Sequence, residues 1–255
     1  MEYKYIVVDE KDMIGRITFN RPPVNILNIE MMEEINKALK EFQKKKLKVL
    51  LINAIGRAFS AGVDVSDHTK DKVNEMIQVF HEIFTNLSKI HAPTVALVNG
   101  AALGGGCEVA MFCDIVIASE KSKFGQPEIK VGVLPPVAAA IFPKLIWSKK
   151  ALELIVTGEI IGANEAKDLG LVNHILPVDT FEVEAEKFVT EKLASNSAVV
   201  MQLTKRAFLE GATQNYADSI KKIEDIYLKE LMKTSDAYEG LAAFLEKRQP
   251  IWKNE

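Results

Sequence analysis

Only two cysteines occur in 255 residues, Cys107 and Cys113, and both fall in one apolar stretch. They build no disulfide framework, which suits a reducing compartment, and each reads as small core packing rather than as a nucleophile. No uninterrupted apolar run approaches the roughly 20 residues that span a bilayer, so no membrane partner is expected. The start, Met1-Glu2-Tyr3-Lys4, lacks the apolar stretch of a secretory signal, and a cytoplasmic protein is expected. A net charge of −3 counts against a nucleic-acid partner, and Lys44-Lys45-Lys46 reads as a solvated helix end. The histidines, His68, His81, His91 and His174, are scattered with no His-Glu-x-x-His signature, so no metal is expected. Ser60 lies near Asp64 and His68, yet no Gly-x-Ser-x-Gly elbow frames it, which disfavours a serine hydrolase. Internal repeats and low-complexity linkers are absent as well.

What is present fits one substantial core: 48 % hydrophobic and 26 % charged residues is an ordinary balance for a globular enzyme. Tyr3 to Val8 and Met13 to Phe19 read as strands joined by the charged turn Asp9 to Asp12. Asn20-Arg21-Pro22-Pro23 stops the sheet pattern. Asn28 is placed to cap a helix whose Met32, Ile35, Leu39 and Phe42 share a face. Val49 to Ile52, Thr94 to Val98 and Ile115 to Ala118 read as buried strands without alternation. Between them, helices are expected from about Lys72 to Leu87 and from Gly104 to Met111. This alternation argues for an α/β core over residues 1–177, with right-handed crossovers favouring a superhelical arrangement. After Pro177 helices follow one another, near Glu182 to Leu193, Ala198 to Leu209, Tyr216 to Leu231 and Ala237 to Lys247. Residues 178–255 therefore read as a helical extension for cap and oligomer contacts, within a single domain spanning 1–255.

Two carboxylates carry the chemical signal. Glu108 ends Gly104-Gly105-Gly106-Cys107-Glu108, and Glu128 ends Phe124-Gly125-Gln126-Pro127-Glu128. Glu108 lies in an apolar helix, where a carboxylate is costly unless a partner or a reaction requires it. Two carboxyls in one enclosed site have their pKa values pushed apart, so that one gives a proton while the other takes one. Two glycine-containing loops, Gly56 to Asp64 and Asn99 to Gly106, permit close approach of a ligand, and the second opens a helix with free N–H groups. Amides from both loops suit an oxyanion hole. The structural alternative is that the glycines only permit a tight turn and close packing.

These segments, with Phe59-Ser60-Ala61-Gly62-Val63-Asp64, Thr157-Gly158, Ala163-Asn164-Glu165-Ala166 and the stretch from Glu239 to Arg248, resemble the crotonase (enoyl-CoA hydratase/isomerase) superfamily over nearly the whole chain. The resemblance implies a spiral of ββα units with a C-terminal helical region, assembled as a homo-trimer or homo-hexamer. It implies an acyl-CoA thioester substrate and no cofactor, CoA being part of the substrate. Glu108 and Glu128 would be the catalytic pair, and the Ala61 and Gly105 amides the oxyanion hole. Ala58, Val63 and Asp64 would border the CoA channel. Lys247 would help hold a neighbouring subunit's nucleotide.

One departure narrows the substrate. Where linear enoyl-CoA hydratases carry a glycine-rich segment after the second glutamate, this chain has Pro135-Pro136-Val137-Ala138-Ala139-Ala140. A stiff diproline implies a reshaped wall beside Glu128. Together with Ala61-Gly62-Val63-Asp64-Val65-Ser66-Asp67-His68 and Arg21-Pro22-Pro23-Val24-Asn25, it is similar to cyclohexa-1,5-diene-1-carbonyl-CoA hydratases of anaerobic benzoyl-CoA degradation. Val65, His68, Pro135 and Pro136 are then expected at the substrate. Alternatives left open are a linear enoyl-CoA hydratase or isomerase, a decarboxylase or ring hydrolase of the same fold, and a non-enzymatic RNA-binding relative.

Overall fold

The computed structural model describes residues 3–213 and 225–255. Strands β1 (Ile6–Lys11) and β2 (Ile14–Phe19) pair antiparallel. The turn between them is Asp12-Met13, both at positive φ, and not the longer charged segment expected from the sequence. Asp9, Glu10 and Lys11 stay in β1 because it is an edge strand whose outer positions meet water. Asn28 caps α1 (Ile29–Phe42), its side-chain oxygen accepting from Met31 N–H.

From here the chain repeats one unit. Strand β3 (Val49–Ala54) is followed by β4 (Ala58–Ser60) and α2 (Val73–Leu87). Next come β5 (Thr94–Val98), β6 (Ala101–Leu103) and α3 (Gly105–Phe112). The third unit is β7 (Ile115–Ser119), β8 (Lys123–Gly125) and, beyond a 3₁₀ turn at Pro127–Val131, α4 (Pro136–Leu145). The long strands join a six-stranded sheet, β1-β2-β3-β5-β7-β10, closed by β10 (His174–Leu176). The short ones build a second sheet, β4-β6-β8-β9, with β9 at Ile160–Gly162. The short strands escaped the sequence reading because three residues hold no measurable period.

Both faces of the large sheet are covered, which is why its central strands lack alternation. Leu50, Ile52, Ala96, Val98, Val116 and Ala118 face the main core with α1, α2 and α3. Val49, Leu51, Val95, Leu97 and Ile117 meet Phe181, Ala185 and Val189. Those three belong to a helix at Phe181–Phe188 that continues as a π-helix through Ala194. The first helix after Pro177 is thus a layer of the core, set against the sheet rather than beyond it. Helices also run over Ala198–Thr213 and Ser235–Glu246. Most of the helix expected over Tyr216 to Leu231 lies outside the described residues; residues 225–229 of it are helical.

Lys205 fastens the Ala198–Thr213 helix to the core. Its Nζ donates to Asp114 Oδ2 at 2.7 Å and to the carbonyls of Ile90 and Ala92 at 3.1 Å. Asp114 Oδ2 also accepts from Thr94 N–H and Oγ1. Lys205→Met strands one partly buried carboxylate and two carbonyls, at an expected cost of about 1–3 kcal/mol, below a fully buried pair because Asp114 keeps some solvent. Urea unfolding measures this; a loss below about 0.5 kcal/mol would contradict the anchoring role.

Candidate active site

The second sheet brings the two glutamates together. β6 and β8 are parallel neighbours in register, Leu103 opposite Gly125. Glu108 follows Leu103 one turn into α3, and Glu128 follows Gly125 on the 3₁₀ turn. One turn of the spiral therefore converts a separation of twenty positions in sequence into adjacency.

Each glycine of the triplet has its own cause. Gly104 has φ 51° and ψ −130°, and a Cβ there would lie 2.5 Å from Glu128 Oε1. Gly105 admits the side chains of Val63 and Phe80, which would stand 2.7 and 3.0 Å from its Cβ. Gly106 lets α3 pack on β4, where Ser60 Cβ would be 2.5 Å away. Close packing, the structural alternative, therefore explains Gly106, while Gly104 and Gly105 sit at the cleft itself.

Glu108 is 1 % exposed. Its Oε1 accepts the Ala138 N–H at 2.6 Å, and the Val137 N–H also acts on the carboxylate. These are first-turn amides of α4, free of intrahelical partners and at the positive end of the helix. Pro136 opens that turn, where a missing N–H loses nothing. The diproline segment thus serves Glu108 as well as the cleft wall, a role the sequence did not disclose. Pro136 lines the cleft and Pro135 does not.

Burial dominates the electrostatics. It pushes the Glu108 carboxyl up to about 8, opposed by the Ala138 amide, reinforced by the charge of Glu128 and opposed again by the Val137 amide. Burial also raises Glu128, against its own backbone N–H. One of the two Glu128 oxygens, Oε2, is buried with no hydrogen-bond partner among the described residues. Both carboxyls are thus held above the ordinary carboxylate range, and the charge of Glu128 acts on Glu108.

The oxyanion expectation needs one correction. Ala61 N–H donates to Val24 O at 2.9 Å, so that amide is already committed to the fold. Farther along the loop, Leu27 N–H bonds Gly62 O and Asp64 N–H bonds Leu27 O, a parallel bridge between Leu27 and Val63. In that pattern Val63 points its own N–H away from Leu27. Among the described residues neither Val63 N–H nor Gly105 N–H has an acceptor, and both residues line the cleft. Gly62, at φ 104°, turns the loop so that a Cβ there would lie 3.7 Å from the Gly105 amide nitrogen. Val63 was read from the sequence as a channel residue; its free amide became visible only from the bridge.

The cleft measures about 810 Å³, within the range of small-molecule sites. Val73, Met76, Ile77 and Phe80 of α2 form one wall, and Ile129 to Leu134 with Pro136 form another. Its titratable side chains are His68, Glu108, Glu128 and Lys130. Val65 and His68 line it, and His68 Nδ1 donates to Asp64 O at 3.1 Å. Asp64 is turned aside: burial works against its charge, but Ser66 donors and Arg21 hold its carboxyl below the usual range. Ala58 is buried in β4, its carbonyl accepting from Asn25, and does not line the cleft. Lys247 lies just beyond the last helix, outside the cleft lining. Ser60 Oγ accepts the Gly62 N–H and shapes the loop.

Residues 9–255 match the family model described as enoyl-CoA hydratase/isomerase. The chain is 38 % identical over 255 residues to a probable mitochondrial enoyl-CoA hydratase of Dictyostelium discoideum, covering 97 % of this chain and 90 % of that protein. It is 35 % identical to a probable enoyl-CoA hydratase of Rhizobium meliloti, with both chains covered in full. Among solved structures, the enoyl-CoA hydratase of Bacillus anthracis superposes with a TM-score of 0.93 at 31 % identity, covering 99 % of this chain and 100 % of that one.

Proposed function

The chain belongs to the enoyl-CoA hydratase/isomerase family, and from that premise we propose how it adds water to an acyl-CoA thioester. One observation carries the reading: a buried carboxyl, Glu108, and a half-buried one, Glu128, face an apolar cleft beside two unpartnered amides of separate loops. The Val63 and Gly105 amides receive the thioester oxygen as it gains negative charge, an interaction of about 3 kcal/mol per donor. Polarised in this way, the β carbon becomes electrophilic. Glu108 takes a proton from water as the oxygen bonds to that carbon, and the α4 amides hold the carboxylate oriented for it. Glu128 returns a proton to the acyl group, so the elements of one water are added and the pair ends with the protons it began with.

The finer proposal is a cyclic conjugated substrate, cyclohexa-1,5-diene-1-carbonyl-CoA, hydrated to 6-hydroxycyclohex-1-ene-1-carbonyl-CoA in anaerobic aromatic degradation. In this 1,4 addition the hydroxyl joins the β carbon, the proton joins the far end of the diene, and the remaining double bond moves between them. Support comes from the motifs around Val65 to His68 and Pro135-Pro136, and from the broad apolar walls of α2 and Ile129 to Pro136. A second reading, a linear enoyl-CoA hydratase, is favoured by the names of the similar proteins. Turnover of cyclic dienoyl-, cyclic monoenoyl- and linear enoyl-CoA decides between them. The cyclic diene is expected to lead by about tenfold or more in kcat/KM, the scale of shape discrimination in an apolar pocket. A linear preference overturns the ring assignment and leaves the hydratase intact.

Assembly as a homo-trimer or homo-hexamer is part of the proposal, supported by exposed Trp147, Leu152 and Val156 on one helical segment. Lys247 is assigned to a neighbouring subunit's nucleotide on the same footing, and a cytoplasmic location is retained.

A further inference from the structure

Asn25 sits in the turn between β2 and α1, 0 % exposed and at φ 52°. Few residues other than glycine take that conformation, and asparagine is prominent among them. Both ends of its side chain are engaged. Oδ1 accepts the Arg21 N–H at 2.8 Å, and Nδ2 donates to the carbonyls of Ile55 and Ala58, both at 2.9 Å. Its own N–H closes the turn on Arg21 O at 2.9 Å. Glycine would adopt this φ with less strain but would leave both carbonyls without that donor.

The residues flanking Asn25 set the register of the oxyanion loop. Val24 O accepts Ala61 N–H, Leu27 N–H donates to Gly62 O, and Leu27 O accepts Asp64 N–H, each at 2.9 Å. Gly62 N–H is taken by Ser60 Oγ. Of the four successive amides from Ala61 to Asp64, only that of Val63 lacks an acceptor among the described residues. Asn25 thus ties the turn that registers these amides to Ile55 and Ala58, on either side of the β3–β4 connection. Half-buried Arg21 adds a second tie: Nη1 donates to Ile26 O at 2.9 Å, and Nη2 lies 3.6 Å from Asp64 Oδ2.

We infer that Asn25 is a positioning residue for the oxyanion hole, its side chain fixing the turn that directs the Val63 amide into the cleft. The inference rests on the Val63 and Gly105 amides receiving the thioester oxygen.

Asn25→Gly keeps the left-handed backbone accessible and removes the three side-chain bonds. With the best substrate of the parent, kcat is expected to fall on the order of tenfold, less than the roughly 10²–10³-fold for a deleted donor because the amide is misaimed rather than lost. KM is expected to stay within about twofold. Acetoacetyl-CoA supplies the readout that a purely structural role would not move, because its enolate absorbs in the near ultraviolet and places the charge on the thioester side of the cleft. The pH at which half of the bound probe is ionised is expected to rise by about one unit, the same factor as the loss in kcat. Butyryl-CoA, which develops no charge, is expected to bind within about twofold of the parent affinity. Parent-like kcat, or a loss of kcat with the probe ionising as in the parent, overturns the inference. If Asn25→Gly does not fold, Arg21→Met takes its place at a half-buried position, with the same paired changes expected at about threefold. Parent-like values there overturn the inference. A parent enzyme that does not favour the enolate of the bound probe removes the oxyanion reading itself, and the inference with it.

Discussion

Glu108→Gln is expected to lower kcat for hydration by between about 10² and 10⁴-fold, the range for a lost general base, while a CoA thioester still binds with near-parent affinity. The amide is isosteric and its oxygen can still accept the Ala138 N–H, so α4 and the cleft wall keep their places. Near-normal turnover would end the assignment. The pH profile tests the direction of proton flow. Burial raises this carboxyl from 4.5 to about 8, so a rate limited by its ionised form climbs with pH toward about 8. A rate that falls through the same region would make Glu108 the donor and exchange the two roles.

Stability follows the opposite course. The unfolded chain releases the Glu108 proton near 4.5 and the folded protein holds it to about 8. Between those values the folded state binds more protons, so raising the pH destabilises it. The contribution is fully present below 4.5 and lost as pH passes 8. In Glu108→Gln this slope disappears, and parent and variant melting curves are expected to diverge as the pH rises.

Glu128→Gln is expected to slow hydration by between about 10² and 10³-fold with little change in fold stability. Its Oε2 has no hydrogen bond to lose among the described residues, and Oε1 lies against the Gly104 backbone. Turnover in deuterium oxide reads its role directly. Product from the parent enzyme should carry deuterium, at the ring carbon remote from the thioester when the proposed cyclic diene is the substrate, and the variant should lose rate and incorporation together. Unchanged rate and incorporation would remove Glu128 from the donor role. Because the carboxyls interact, the pH midpoints of either variant describe what remains of a pair.

Much of the scaffold was legible because it repeats at readable periods. Ile35, Leu39 and Phe42 recur at helical spacing and are buried on α1, and the unbroken apolar run at Val49 foretold a strand covered on both faces. The four short strands were not legible. Yet Leu103 opposite Gly125 in that small sheet is what places Glu108 beside Glu128.

Residue identity alone determined that this chain carries two carboxylates in glycine-bordered motifs, one within an apolar helix where only a partner or a reaction justifies it. It determined the α/β class as well, since strand and helix periods are local properties. Tertiary structure decided which backbone groups serve the site. It committed the Ala61 amide to Val24, freed those of Val63 and Gly105, and aimed the first turn of α4 at Glu108. An amide's direction depends on which distant strand or helix it meets, and no sequence motif encodes that meeting. The same holds for Gln126 and Glu128 Oε2, whose lack of partners exists only once the core has closed around them.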